Sequence, residues 1–255
     1  MILTKNLVFI HLRKTGGTFV STLLGRVYRE RGWVARVRNR LEGKRFRSVN
    51  QHGTCAEIPE SHRGLPVVAC VRNPFDRLVS MYHFKGWQRD PGQWHCDPAA
   101  MARRFPRWPD LTFGEFALAA TETFKGLDDS AVPEAHRLGC QSEELVRYFW
   151  REPARVFPAI DDAYIAGRRW EGDMHPVRWI RTETLNRDLH ALLLEFGVPP
   201  ERAAFVLEEE PILPAQSRRA PRKDRDWRSA YTPELLAAVA RRERLLLSLF
   251  PDYAP

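Results

Sequence analysis

Lysine is scarce in this chain, cysteine is sparse, and long apolar runs are missing. Of its 40 basic residues only six are lysines (Lys5, Lys14, Lys44, Lys85, Lys125 and Lys223), so the formal net charge of +8 rests on arginine. Such an excess favours anionic partners. Compositional bias explains it better than a dedicated polyanion groove, so no nucleic acid partner is expected. The four cysteines, Cys55, Cys70, Cys96 and Cys140, form no C-x-x-C pair. That excludes a zinc ribbon or a disulfide framework and suits reduced thiols. No apolar stretch reaches the roughly 20 residues of a bilayer span, and no signal peptide precedes the first strand. A cytoplasmic protein is therefore expected, or one from which an anchor was removed. Repeats and low-complexity tracts are absent too. With 255 residues at 44% hydrophobic content the chain can bury a full core, and a single domain over 1–255 is expected.

What is present begins at Leu7–Val27, where an apolar run breaks into Lys14-Thr15-Gly16-Gly17-Thr18 and resumes at helical spacing. This reads as strand, loop and helix. Two glycines permit a tight turn and close approach of a ligand, while the helix N-terminus and the Lys14 ammonium favour an anion such as phosphate or sulfate. Phe19, Val20, Leu23, Leu24 and Val27 share the face that would hold the helix to a sheet. A Walker loop, G-x-x-x-x-G-K-[ST], is excluded because the lysine precedes the glycine pair.

A second apolar run, Val67–Val71, is too short for a helix, rich in valine, and followed by Arg72. It predicts a buried parallel strand. Asn73 is a suitable N-cap, Pro74 suits the first helical position and Asp76 complements the helix start. Helical spacing places Asn73, Asp76, Arg77 and Ser80 on one side and Phe75, Leu78, Val79 and Tyr82 on the buried one. Arg72 supplies a fork and Ser80 a hydroxyl for a second phosphate; the alternative is an Arg72–Asp76 pair with Ser80 merely solvated.

Together these segments resemble the sulfotransferases that use 3′-phosphoadenosine 5′-phosphosulfate (PAPS), and within them the carbohydrate-type branch that includes uronyl 2-O-sulfotransferases, in a soluble bacterial-type form. The resemblance implies an α/β fold, a P-loop-like central parallel β-sheet flanked by helices. It also implies PAPS as co-substrate, with 3′,5′-phosphoadenosine (PAP) as product and no metal. Arg13, Lys14, Thr15, Gly16, Gly17 and Thr18 would hold the 5′-phosphosulfate, and Arg72 and Ser80 the 3′-phosphate. Arg13 stands where the family usually has proline, and Phe19 where serine is common. The likeness continues at His52, at Trp179–Leu185, and at Ser217 and Asp226–Leu235. In the basic cluster between the last two, Arg222 and Lys223 would join Ser217 in closing over the nucleotide; a solvated surface loop is the alternative.

Strand-like runs near Leu7–Leu12, Val67–Arg72 and Val177–Arg181 each lead into a helix, as in a parallel sheet with crossover helices. Ligands then sit at the strands' carboxyl ends. Leu185, Leu189, Leu192, Leu193 and Phe196 form a helical face ending at Gly197, and Thr232-Pro233-Glu234 opens the last helix. The stretch from about 85 to 140 reads as an insertion over the acceptor site, with a capping box at Thr112–Glu115. Its Trp87 and Trp94 can stack on sugar faces or serve equally as packing anchors. His136, with Gln141 behind it, resembles a weaker family element, and that resemblance implies a further acceptor contact.

In-line transfer to a hydroxyl needs a base, and histidine suits that near neutral pH. His52 is the candidate through its placement before Arg72, although the branch carries His-x-His where this chain has Gln-His-Gly. His11 is expected to be structural. The acceptor implied by the resemblance is a carbohydrate or another small molecule. Two rival readings remain: a kinase-like phosphotransferase with a deviant loop, and a noncatalytic nucleotide- or polyanion-binding protein. Oligomeric state is not encoded legibly.

Overall fold

The computed structural model describes residues 1–29, 46–212 and 226–255. These divide into two compact units: one of residues 1–72 and 176–212, the other of residues 73–175 and 226–255.

The first unit is built on a five-stranded sheet in the order β3-β1-β2-β4-β5. Its strands are β1 (Ile2–Leu3), β2 (Val8–Ile10), β3 (Arg47–Ser48), β4 (Val67–Val71) and β5 (Val177–Arg181). β2, β4 and β5 run parallel, with Val8 opposite Val67 and Val67 opposite Val177. This is the parallel α/β sheet that the three apolar runs predict. β1 pairs antiparallel with both β2 and β3, an addition whose two-residue strands carry too little periodicity to read. Helix α1 (Gly17–Tyr28) lays Phe19, Val20, Leu23, Leu24 and Val27 against Phe9, Val68, Cys70 and Ile180 of the sheet. Leu189, Leu192 and Leu193 join the same core from the helix Leu185–Glu195. Gly197, at φ 73°, follows that helix and takes the left-handed turn that glycine allows.

The second unit is helical. Its longer helices are α2 (Pro74–Phe84), α3 (Pro98–Arg104), α4 (Phe113–Thr123) and α5 (Cys140–Phe149). In chain order Leu185–Glu195 of the first unit is α6, and α7 (Pro233–Arg242) and α8 (Arg244–Leu249) complete the second. α2 starts as its sequence predicts, the Asn73 side chain accepting the N–H groups of Phe75 and Asp76 at 3.0 and 3.1 Å. The capping box of Thr112 and Glu115 is present. Thr232 caps α7, but the final helix breaks at Glu243 instead of running on.

Burial corrects one helical face. Arg77 is only 3% exposed and forms an ion pair with buried Glu144 of α5. A periodicity argument places it with the solvated residues, because it cannot see a partner 67 residues on. Glu243 is also fully buried. Its carboxylate accepts the N–H groups of Gln141 and Ser142 at 3.1 and 2.7 Å, and so caps α5 from a distant part of the chain. Desolvation holds its pKa above the ordinary carboxylate value despite those donors. Among the described residues no helix is long and apolar enough to cross a membrane.

Candidate active site

The predicted phosphate loop lies in the first unit between β2 and α1, at the carboxyl end of the central strands. Lys14 and Gly16 both take left-handed backbone, at φ 60° and 88°. Glycine does this freely, whereas a lysine gives up about 1–2 kcal/mol and needs the surroundings to hold it. Arg72 is one such hold, its Nη1 donating to the Lys14 carbonyl oxygen at 3.1 Å. Thr182, just beyond β5, donates its hydroxyl to the Thr15 carbonyl oxygen at 2.7 Å and lies 3.0 Å from that of Val71. The residues just after the two other parallel strands, β4 and β5, thus each send a side-chain donor to the loop's main chain.

The glycines divide their work differently from the sequence expectation. Gly16 makes the left-handed turn and lies against Leu185, whose Cδ2 would be 2.7 Å from an added Cβ. Gly17 has no positive φ; a Cβ there would come within 1.9 Å of His11 Cδ2, so it is needed for clearance rather than for turning. Thr15 is 1% exposed, and its hydroxyl donates inward to the Leu12 carbonyl oxygen at 3.0 Å. Its side chain is therefore committed to the loop itself. Arg13, Lys14, Gly16 and Thr18 are half-buried. α1 opens with no side-chain cap and no acidic residue in its own first turn, a helix start suited to an external anion.

His52 joins this region. Its Nδ1 lies 3.1 Å from the His11 carbonyl oxygen, and the two imidazole centroids are 5.2 Å apart. A carbonyl oxygen only accepts, so Nδ1 carries the proton and the lone pair of the neutral ring falls on Nε2. His11 itself is buried, as expected of a structural residue, and fills the space beside Gly17.

Arg72 directly follows β4, and Ser80 lies in α2 of the second unit, half-buried. Three other candidates also belong to the second unit. Trp87 is completely buried, its ring 5.2 Å from that of Phe116 and 5.1 Å from that of Trp108. Trp94 is 7% exposed and sits against Gly86. Their burial favours the packing-anchor alternative over sugar stacking, since a buried ring offers little face to an acceptor. His136 is half-buried in a short turn, and its Nδ1 is buried without a hydrogen-bond partner. Ser217, Arg222 and Lys223 lie outside the described residues. The segment after them packs in the second unit, with Trp227 stacked 5.1 Å from Phe75 and the Tyr231 hydroxyl donating to the Phe75 carbonyl oxygen at 3.0 Å.

Thr182 is the residue that motif reasoning passes over. Its sequence signal is a hydroxyl placed directly after a parallel strand that ends at the ligand side of the sheet.

The family model of the sulfotransferases matches residues 2–148, more than half of the sequence, and the chain belongs to the sulfotransferase family. Among solved structures it is similar to mouse sulfotransferase SULT7A1 complexed with PAP, at 15% identity and a TM-score of 0.45, covering 96% of this chain and 88% of that one. A likeness that loose carries no weight for function. No curated protein matches.

Proposed function

We propose that the protein transfers the sulfuryl group of PAPS to an acceptor hydroxyl, a carbohydrate or another small molecule, and releases PAP. The observation that carries this reading is the loop after β2: a left-handed lysine and glycine leading into a helix whose N-terminus has no acid and no side-chain cap, in a chain of this family. Lys14 and the loop N–H groups would take the 5′-phosphosulfate. Arg72 is assigned to the 3′-phosphate, and Ser80 is the hydroxyl that the resemblance adds.

In the transfer step the acceptor oxygen attacks sulfur, the bond from sulfur to the bridging phosphate oxygen breaks in line, and negative charge collects on that oxygen. Lys14 neutralises the charge as it develops, where fixed electrostatics contribute most to rate. The acceptor proton passes to Nε2 of His52, whose tautomer suits it as a base because Nδ1 is paired with the His11 carbonyl. Positioning does the rest, as in phosphoryl transfer.

The test is a panel of sugar, phenol, lipid and peptide hydroxyls incubated with labelled PAPS and read by the mass gain of one sulfo group. Transfer to one class is the expected result. Phosphorylation dependent on Mg²⁺ and ATP would replace this reading with the kinase-like one. Tight PAP binding with no turnover on any acceptor would make the protein a noncatalytic binder.

A further inference from the structure

Thr182 forms a contact that no phosphate-binding motif assigns. Its hydroxyl reaches the carbonyl oxygen of Thr15, in the peptide unit whose N–H belongs to Gly16. In a trans peptide the C=O and N–H point in opposite directions, so whatever pins the carbonyl also aims the N–H. The same hydroxyl lies 3.0 Å from the Val71 carbonyl oxygen, which ties the loop to the end of β4.

Thr182 is itself firmly placed. It begins a short turn between β5 and α6, and Asp188 in α6 reaches back over that turn. One carboxylate oxygen of Asp188 accepts both the Arg181 N–H at 3.0 Å and the Thr184 hydroxyl at 2.7 Å, bracketing Thr182 on either side. Leu185, the first residue of α6, packs on Gly16. The turn therefore contacts both halves of the Thr15–Gly16 peptide unit, by hydrogen bond at the carbonyl and by packing at the glycine.

We infer that Thr182 is a positioning residue for the phosphate loop: by holding the Thr15 carbonyl toward β4 and β5 it turns the Gly16 N–H toward the 5′-phosphate of the bound nucleotide. This rests on the PAPS reading above. Thr182 acts through the loop's main chain, so its effect falls on the 5′ side of the ligand and spares the 3′ side. The hydroxyl performs the function; the methyl group does not.

The experiment measures dissociation constants of PAP, adenosine 5′-phosphate and adenosine 3′-phosphate by calorimetric competition for the wild type, Thr182→Val and Thr182→Ser. Thr182→Val should weaken adenosine 5′-phosphate and PAP about five- to tenfold, the scale of one hydrogen bond, and leave adenosine 3′-phosphate unchanged. Thr182→Ser should restore wild-type values. Unchanged binding of adenosine 5′-phosphate by Thr182→Val would overturn the inference. So would equal weakening of both monophosphates, which marks general damage, or a serine variant no better than valine. Should the valine variant not fold, amide resonances of the wild type decide: the Gly16 amide proton should move downfield on saturation with PAP, and an unmoved resonance refutes the assignment. A wild type that binds PAP but not adenosine 5′-phosphate also contradicts it, since the loop is held before any 3′-phosphate arrives. Binding of no nucleotide at all would remove the PAPS reading and the inference with it.

Discussion

Helices α1 and α5 both begin at a glycine that offers no side-chain cap, Gly16 and Gly139, yet their N-termini are treated in opposite ways. At α5 the chain supplies its own acceptor. Glu243 fills the position, receives two main-chain N–H groups and is buried there. At α1 no acidic residue occupies the first turn, and the neighbouring polar side chains, Arg72 and Thr182, address the loop's carbonyls instead. On the proposed function the difference is that between scaffold and site: a helix start satisfied by the chain itself serves stability, and one without a cap or acid of its own is suited to a ligand anion. Each start also has a glycine kept for clearance, Gly17 beside His11 and Gly139 beside Glu243.

Substitutions at the α1 end should remove chemistry and spare stability. The largest expected effect is at His52, where His52→Gln should cut turnover by about 100- to 10,000-fold while PAP affinity holds, the usual range for a general base. The wild-type kcat/KM should fall on the acid side as the base protonates, and the variant should lose that limb. An unchanged rate and limb would place the base elsewhere. Lys14→Ala should lose roughly 100- to 1000-fold in turnover and much less in PAP affinity, because PAP lacks the group being transferred. Near-wild-type turnover would break the comparison at its site end.

At the α5 end the pattern should invert. Gly139→Ala would bring a Cβ within 2.2 Å of Glu243 Oε1 and should destabilise the fold by about 1–3 kcal/mol in denaturant titrations, with the PAP dissociation constant of the folded protein unchanged. Gly17→Ala, the corresponding clash at the site end, should weaken PAP binding by displacing His11 beneath the loop. If both variants lose affinity equally, the two helix starts are not functionally distinct.

The smallest effect is a pH dependence. The folded-state pKa of Glu243 is raised by desolvation, so its contribution to stability is full below the ordinary value of 4.5 and is lost as pH rises through the folded value. The unfolding free energy of the wild type minus that of Glu243→Gln should therefore decline as pH rises above about 4.5. A pH-independent difference would contradict the buried cap.

Features written in adjacent residues were legible in the sequence. The Val67–Val71 strand, the Asn73-Pro74 helix start, the Thr112–Glu115 box and the strand–loop–helix around Lys14–Thr18 each follow from local chemistry, and the α/β sheet follows from where they fall. What escaped depends on partners far along the chain. Arg77 is paired with Glu144, and Glu243 caps a helix about a hundred residues earlier. For Trp87 and Trp94 the sequence left sugar stacking and packing equally open, and burial favours packing: Trp87 lies against Phe116 of α4 and Trp94 against Gly86. Thr182 lies within the Trp179–Leu185 likeness but had no role assigned there, because its target is a main-chain carbonyl.

In the proposed function the loop before α1 holds the 5′-phosphosulfate end of a nucleotide and Arg72 recognises its 3′-phosphate. Thermal unfolding with saturating PAP, set beside the same concentration of ATP, tests it most directly, since a ligand bound only by the native state raises Tm by mass action. The account predicts a clear rise with PAP and a weak one with ATP, which lacks the 3′-phosphate; equal shifts with the two nucleotides, or none with PAP, would contradict it.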